Sequence, residues 1–403
     1  MKLLRNVRRI EGGAIDRCSL LMDGGVVRTI LPPEAEVPGA EALDGGGLYA
    51  APGFIELHAH GADGADVMDC TPEAMDKVAE YHLRHGVTTF YPTTSTDSDD
   101  SIRRVLDACR AVQTTRADRQ CIPGIHIEGQ YISEARNGGM YMRYIRTPDP
   151  REYVPLIEYG SGLIKRWSIA PELPGGLAFG DYASGHGIVC SMAHTDATYD
   201  QVAEAKQHGF RHLTHFYSDM NSVVRIHGFR TMGAIEAGYD MDDLWIEIIG
   251  DGCHIPPALM QFLYRHIGPG RMHLVSDSVR VAGTAREGEY VDVGSRDRGL
   301  QGIVEDGVVK FLDRSAFHGS IASGMELIQA THGKAELPLA DCVRMLTENP
   351  ARIMGIDDCK GHLREGYDAD LVLFDEDLTL RQVFYRGCPV FTERSTTRSH
   401  TIK

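Results

Sequence analysis

Short apolar runs alternate with amphipathic stretches through most of the chain. Residues 53–57, 87–92, 122–127, 163–170, 187–193, 210–214, 244–249 and 272–276 are each brief and mainly apolar, bounded by Gly, Pro, Asp or His. That is the pattern of strands buried on both faces. Between them, apolar residues recur at helical spacing. In residues 72–85, Met75, Val78, Ala79 and Leu83 share one face, and Thr71-Pro72 supplies an N-cap and first turn. Residues 101–112, 198–208 and 256–266 read the same way. Strand–helix alternation predicts a parallel α/β fold, and eight strands predict a (β/α)8 TIM-like barrel, which takes about 250 residues. Residues 280–312 break the pattern: the glycine-punctuated runs 290–293, 302–304 and 308–311 predict a β-hairpin insertion. Helices are expected again at 324–332 and 341–346, with another short one from Asn349-Pro350.

The two ends of the chain resemble each other. Strand-like runs at 19–22 and 26–31 flank Asp23-Gly24-Gly25, and Asp44-Gly45-Gly46-Gly47 follows; the far end has 366–374, 381–385 and Pro389-Val390. They predict a small β-sandwich domain built from both termini, 1–50 and 356–403, around a barrel at 51–355. The polar stretch 393–403 is expected to fray. A length of 403 residues suits a barrel plus such a module. Hydrophobic residues at 42% and charged residues at 24% are ordinary for a globular protein. No apolar run is long enough to cross a bilayer, and the basic N-terminus lacks the apolar segment of a signal peptide. Nine cysteines without a CxxC pair suit reduced thiols, so a cytoplasmic location is expected. A net charge of -16 argues against nucleic acid or an anionic membrane as partner. An anionic substrate would need local positive groups or a metal.

The chemistry gathers at strand ends. Residues two apart on a strand point the same way, so His58 and His60 leave the first strand together, half of a metal site. Five more strand ends carry ligand-type residues: Glu128, His194, His215, Asp251 with His254, and Asp277. In a barrel the C-terminal strand ends converge on one mouth, where the active site lies. His126, inside the third strand, reads as a packed histidine and is left out of the set.

The segments PGFIELHAHG, GVTTFYPTT, GIHIEGQYIS, SIAPE, AHTDATYDQ, THFYSDM, DGCHIPP and VSDS resemble the amidohydrolase superfamily, and within it the deacetylases of N-acetylglucosamine 6-phosphate. The likeness covers nearly all of residues 45–375. It implies a cytoplasmic, metal-dependent hydrolase of a linear amide in amino-sugar metabolism, usually a homodimer. It implies a divalent ion held by Glu128, His194 and His215. His58 and His60 are intact, which allows a second ion bridged through Glu128 and facing Asp277. Zinc is the first expectation, with iron, manganese, cobalt or nickel as alternatives. The chemistry asks for these residue types: amide hydrolysis needs a nucleophile at neutral pH, and a bound ion lowers the pKa of its water from 15.7 to about 7. Asp277, carried over as catalytic, would accept the water proton and pass it to the leaving amine. His254 would hold the sugar or the carbonyl.

Gln130, Met140, Ser218, Asp219, Arg225, His227, Arg230 and His254 are the expected substrate-binding residues. Three departures fall among them. Asn137-Gly138-Gly139-Met140 stands where the family has Lys-Gly-x-His. His215-Phe-Tyr-Ser-Asp-Met220 replaces His-Leu-Phe-Asn-Ala-Met, losing an amide and adding a carboxylate. Arg225-Ile-His-Gly-Phe-Arg230 replaces an Arg-Glu-Pro-Gly segment that supplies a phosphate-binding arginine. The metal chemistry is retained, while the phosphosugar end is altered, so an unphosphorylated N-acyl sugar or another N-acyl compound is the alternative substrate. A cyclic amidase that bridges its metals with a carboxylated lysine is disfavoured, because no lysine ends the fourth strand. A catalytically silent metal-binding protein would not require Asp277.

Overall fold

The structure, a computed structural model, describes residues 1–296 and 299–392; the polar stretch 393–403 lies outside them. Strands from both ends of the chain form one eight-stranded sheet: Lys2–Glu11, Ala14–Asp23, Val26–Leu31, Glu41–Asp44 and Tyr49–Pro52 from the first fifty-odd residues, then Leu371–Phe374, Leu380–Tyr385 and Cys388–Thr392. Gly24 and Gly25 both take positive φ, 60° and 84°, as the tight turn between Asp23 and Val26 requires. Tyr49–Pro52 runs antiparallel to Leu371–Phe374, which ties the two termini together. Leu4, Val7, Leu20, Val27, Leu371 and Phe384 pack into this sheet's own core.

The eight expected parallel strands are all present: β1 (Phe54–Ala59), β2 (Val87–Pro92), β3 (Ile125–Glu128), β4 (Ile164–Ile169), β5 (Val189–Met192), β6 (Phe210–Leu213), β7 (Trp245–Ile249) and β8 (Met272–Val275). β3 to β8 pair consecutively in one parallel sheet, and β1 pairs with β2. The two pieces meet on both sides. Phe90 N–H donates to Cys121 O and Thr94 N–H to His126 O (2.8 and 3.0 Å), joining β2 to β3; Asp277 N–H donates to His58 O (2.9 Å), joining β8 to β1.

Helices cover the strands. Pro72–Arg84 starts as expected, with Thr71 Oγ1 accepting from Ala74 N–H (3.1 Å), and buries Met75, Val78, Ala79 and Leu83. Three further helices have weak sequence signals. Pro150–Gly160 carries Pro155 inside it, Gly176–Gly185 is glycine-rich, and Ala234–Asp240 is short; Pro and Gly are the poorest helix formers. The insertion after β8 is larger than expected, with Tyr290–Val293, Leu300–Glu305, Val308–Phe311 and Phe317–Ser320 forming a four-stranded antiparallel sheet. Among the described residues no helix is long and apolar enough to cross a membrane, and all nine cysteines are free.

Candidate active site

The ligand-type residues converge beyond the C-terminal ends of the parallel strands. His58 and His60 sit on and just past β1, and their Nε2 atoms lie 3.3 Å apart. Glu128, the last residue of β3, stands between two groups. One of its oxygens is 3.2 Å from Nε2 of both His58 and His60. The other is 3.0 Å from His215 Nε2 and 3.5 Å from His194 Nε2. Asp277 Oδ1 is 3.2 Å from His60 Nε2 and 3.6 Å from His58 Nε2. The ligand atoms thus form two sets, His58–His60–Asp277 and Glu128–His194–His215.

Local backbone geometry aims these groups. His194, His215 and Asp277 each lie two residues beyond the end of β5, β6 or β8, and each has positive φ, 46°, 32° and 48°. For a non-glycine residue that conformation costs on the order of 1–3 kcal/mol and persists only where its surroundings enforce it.

The far nitrogens of the rings are also fixed. His58 Nδ1 is paired with Glu247 (2.8 Å), His194 Nδ1 with Arg136 O (2.7 Å) and His215 Nδ1 with Ser218 O (3.2 Å). A proton on each Nδ1 leaves the Nε2 lone pair facing the cluster, the tautomer a metal ligand needs. Burial works against charge on His60 and His194, yet without an ion their carboxylate neighbours raise both to about 9, so an ion bound here would take the place of the Nε2 protons. Burial alone would raise Glu128, but the histidines hold it well below the carboxylate range, and Asp277 is lowered for the same reason.

Beneath the cluster lies a buried network that sequence reasoning missed. Arg166 on β4 donates to Glu247 on β7 (2.5 Å), Ser191 (3.0 Å) and Thr214 (2.9 Å), and contacts His212 Nδ1 (3.1 Å). His212 and His273 face each other at 2.6 Å. Burial and the Arg166 charge keep His212 neutral, and burial holds His273 at about 3. The available signal was a charged residue inside an otherwise apolar strand, as in Trp245–Ile249. His126 is a packed histidine, as expected: fully buried, 2.7 Å from Ser168 Oγ and outside both ligand sets.

A cavity of about 240 Å³ opens on the cluster. Met140, Ser218, Asp219 and His254 line it, as do Val293, Phe317 and His318 from the insertion, which the sequence did not connect with the site. His254 is fixed by Asp251 (Nδ1 to Oδ2, 2.7 Å) and by its edge contact with Phe317. The structure does not bring the other expected residues to the cavity. Gln130 is buried outside the lining, with neither end of its amide hydrogen-bonded. Arg225, His227 and Arg230 are exposed on or at the turn of a hairpin, Val224–Ile226 with Phe229–Thr231, away from the lining. An arginine segment that was expected to reach substrate is instead a two-stranded ribbon with His227-Gly228 at its turn.

The amidohydrolase family model matches residues 49–395. The chain is 30% identical to an N-acetylglucosamine-6-phosphate deacetylase of Lysinibacillus sphaericus over 96% of each chain. It is 27% identical to an N-acetylgalactosamine-6-phosphate deacetylase of Escherichia coli O157:H7, covering 94% of this chain and 96% of that one. The crystal structure of the N-acetyl-D-glucosamine-6-phosphate deacetylase from Mycobacterium smegmatis superposes with a TM-score of 0.86 at 27% identity, over 97% of this chain and all of the other (100%).

Proposed function

The chain belongs to the amidohydrolase family, and from that premise we propose that it hydrolyses the N-acetyl amide of an amino sugar with a divalent metal. One observation carries the reading. Three imidazoles have their Nδ1 atoms engaged and their Nε2 atoms turned on a shared carboxylate, which is the donor set and orientation of a metal centre. Glu128, His194 and His215 would hold one ion. His58, His60, Asp277 and the second oxygen of Glu128 offer a second position. Zinc suits these N and O donors best.

When bound, the ion acidifies a water and polarises the acyl oxygen. The chain's own groups do the rest. Asp277, lowered in pKa and so ionised at neutral pH, takes the proton from the attacking water and delivers it to the amide nitrogen as the C–N bond breaks. Acetate and the free amine result. His254, oriented by Asp251, hydrogen-bonds the substrate from the cavity wall. The insertion residues Val293 and Phe317 give the cavity an apolar side.

The seam hydrogen bonds support a closed (β/α)8 barrel at 51–355. The shared sheet supports assigning 1–50 and 356–403 to one β-sandwich domain. A cytoplasmic homodimer is the assembly that the family resemblance implies, and it is proposed on that ground alone. The test is acetate release from N-acetylglucosamine, N-acetylgalactosamine and their 6-phosphates by metal-loaded protein. Glu128→Gln should abolish release and lower bound metal. Wild-type protein that binds no divalent ion would end the reading.

A further inference from the structure

Two of the three segments that depart from the family motifs meet in space. Asp219 lines the cavity, and its Oδ2 lies 3.7 Å from His194 Nδ1. Its backbone carbonyl is fixed by Thr195 N–H (3.0 Å). Gly138, in the Asn137–Met140 stretch, packs directly on it: a Cβ at 138 would stand 2.4 Å from Asp219 Oδ2, and Gly138 itself has φ of +51°. With glycine at 138 the carboxylate can lie where it does; a side chain there would push it aside. The loop and the acid therefore meet at the cavity wall, with the carboxylate partly open to it.

A second acid and an apolar side chain join Asp219 in the lining. Asp66 also lines the cavity and is buried; one oxygen accepts from Met68 N–H (2.8 Å) and the other, Oδ2, has no partner. Met140 presents an apolar side chain. Among the described residues, neither lysine nor arginine lines the cavity. Arg225 and Arg230 face each other across their exposed hairpin instead.

Resting on the deacetylase reading above, we propose that Asp219 is a specificity determinant: the substrate is an N-acetyl amino sugar without a phosphate, of which a hydroxyl group donates to Asp219. Ions bound at the cluster would offset Glu128 and Asp277 but leave Asp219 at the open wall. A phosphate near a carboxylate is repelled, and screening is weak in a partly dry cleft. A sugar hydroxyl gains a charge-assisted hydrogen bond at the same place.

The test uses the metal-loaded full chain and two readouts. The first is kcat/KM for N-acetylglucosamine, N-acetylgalactosamine and their 6-phosphates. The second is calorimetric binding of glucosamine and glucosamine 6-phosphate. Expected are unphosphorylated sugars turned over and bound at least as well as the phosphorylated ones. Asp219→Asn should shift the kcat/KM ratio toward the 6-phosphates by about 10-fold or more, with metal content unchanged. A wild-type preference for the 6-phosphates of about 10-fold or more overturns the proposal. If Arg225→Ala or Arg230→Ala removes such a preference, the hairpin of a second copy supplies the missing cation. If no acetate is released while the amino sugars still bind, the deacetylase reading alone fails, and the calorimetric ratio decides the specificity.

Discussion

At the scale of single residues, the site depends on where a proton is held. His58 and His60 lie close to Asp277, and their pull keeps its carboxylate ionised despite burial. Asparagine keeps the shape but cannot take a proton. Asp277→Asn should therefore leave the fold and the ion held by Glu128, His194 and His215 near wild type while lowering kcat by at least about 10²-fold, the low end of general acid–base contributions. Steady-state kinetics beside elemental analysis checks both halves; unchanged kcat at normal metal content would remove Asp277 from the proton path. His194, His215 and Asp277 were legible in the sequence as polar residues after apolar runs. Their left-handed backbone was not, because no glycine marks it: the strain is borne by the very residues that serve the site.

At the scale of elements, what the chain reveals depends on whether a residue breaks its local pattern toward the outside or toward the interior. Strands β1 to β8 were readable because runs buried on both faces are apolar and short. Glu247 and Arg166 lie within such runs, so their chemistry is hidden in strands whose type was read correctly. They come from β7 and β4, and meet inside the parallel sheet as a fully buried ion pair. Glu247 also receives the backbone N–H of His215 (3.0 Å) and pairs with His58 Nδ1, so one carboxylate steadies a residue from each ligand set. Glu247→Gln leaves Arg166 without its counter-charge, a loss of about 3–5 kcal/mol for breaking a buried pair. Metal affinity should fall about 10–100-fold, as for other partners of metal-binding histidines. Titration with Zn2+ or Co2+ beside urea unfolding tests this. Wild-type affinity in the variant would mean that Glu247 serves the fold and not the ion. The helices missed by periodicity fail for a different reason: Gly176–Gly185 is held by packing of Phe179 and Ala183, a tertiary effect that no local pattern carries.

At the scale of the whole molecule, stability should respond to acid through buried histidines outside the ligand sets. His82 is fully buried, stacks on Phe90 and contacts Ser278 Oγ, while its Nδ1 has no partner. Burial lowers its pKa to about 3 from 6.5. The unfolded chain therefore binds a proton at this site between those values and the folded chain does not. The stability it contributes is fully present above pH 6.5 and is lost as pH falls toward 3, by about 1.4 kcal/mol per pH unit. Asp66 and Glu56 oppose this. Burial raises Asp66 from 3.8 to about 6 and Glu56 from 4.5 to about 7. Their contributions are present at low pH and are lost as pH rises through those folded values. Between pH 6 and 4.5 these two acids offset only part of the effect, because His212 and His273 are held neutral by burial as His82 is, so the unmodified protein should still lose stability with acid. The single-site effect appears by difference. His82→Gln removes the histidine's proton uptake, so the variant, less stable at pH 7 by about 1–3 kcal/mol, should close that gap as pH falls from 6.5 to 5. Urea unfolding of both proteins at matched metal content gives the difference directly; a gap that stays constant or widens with acid would show that His82 is not held neutral in the fold.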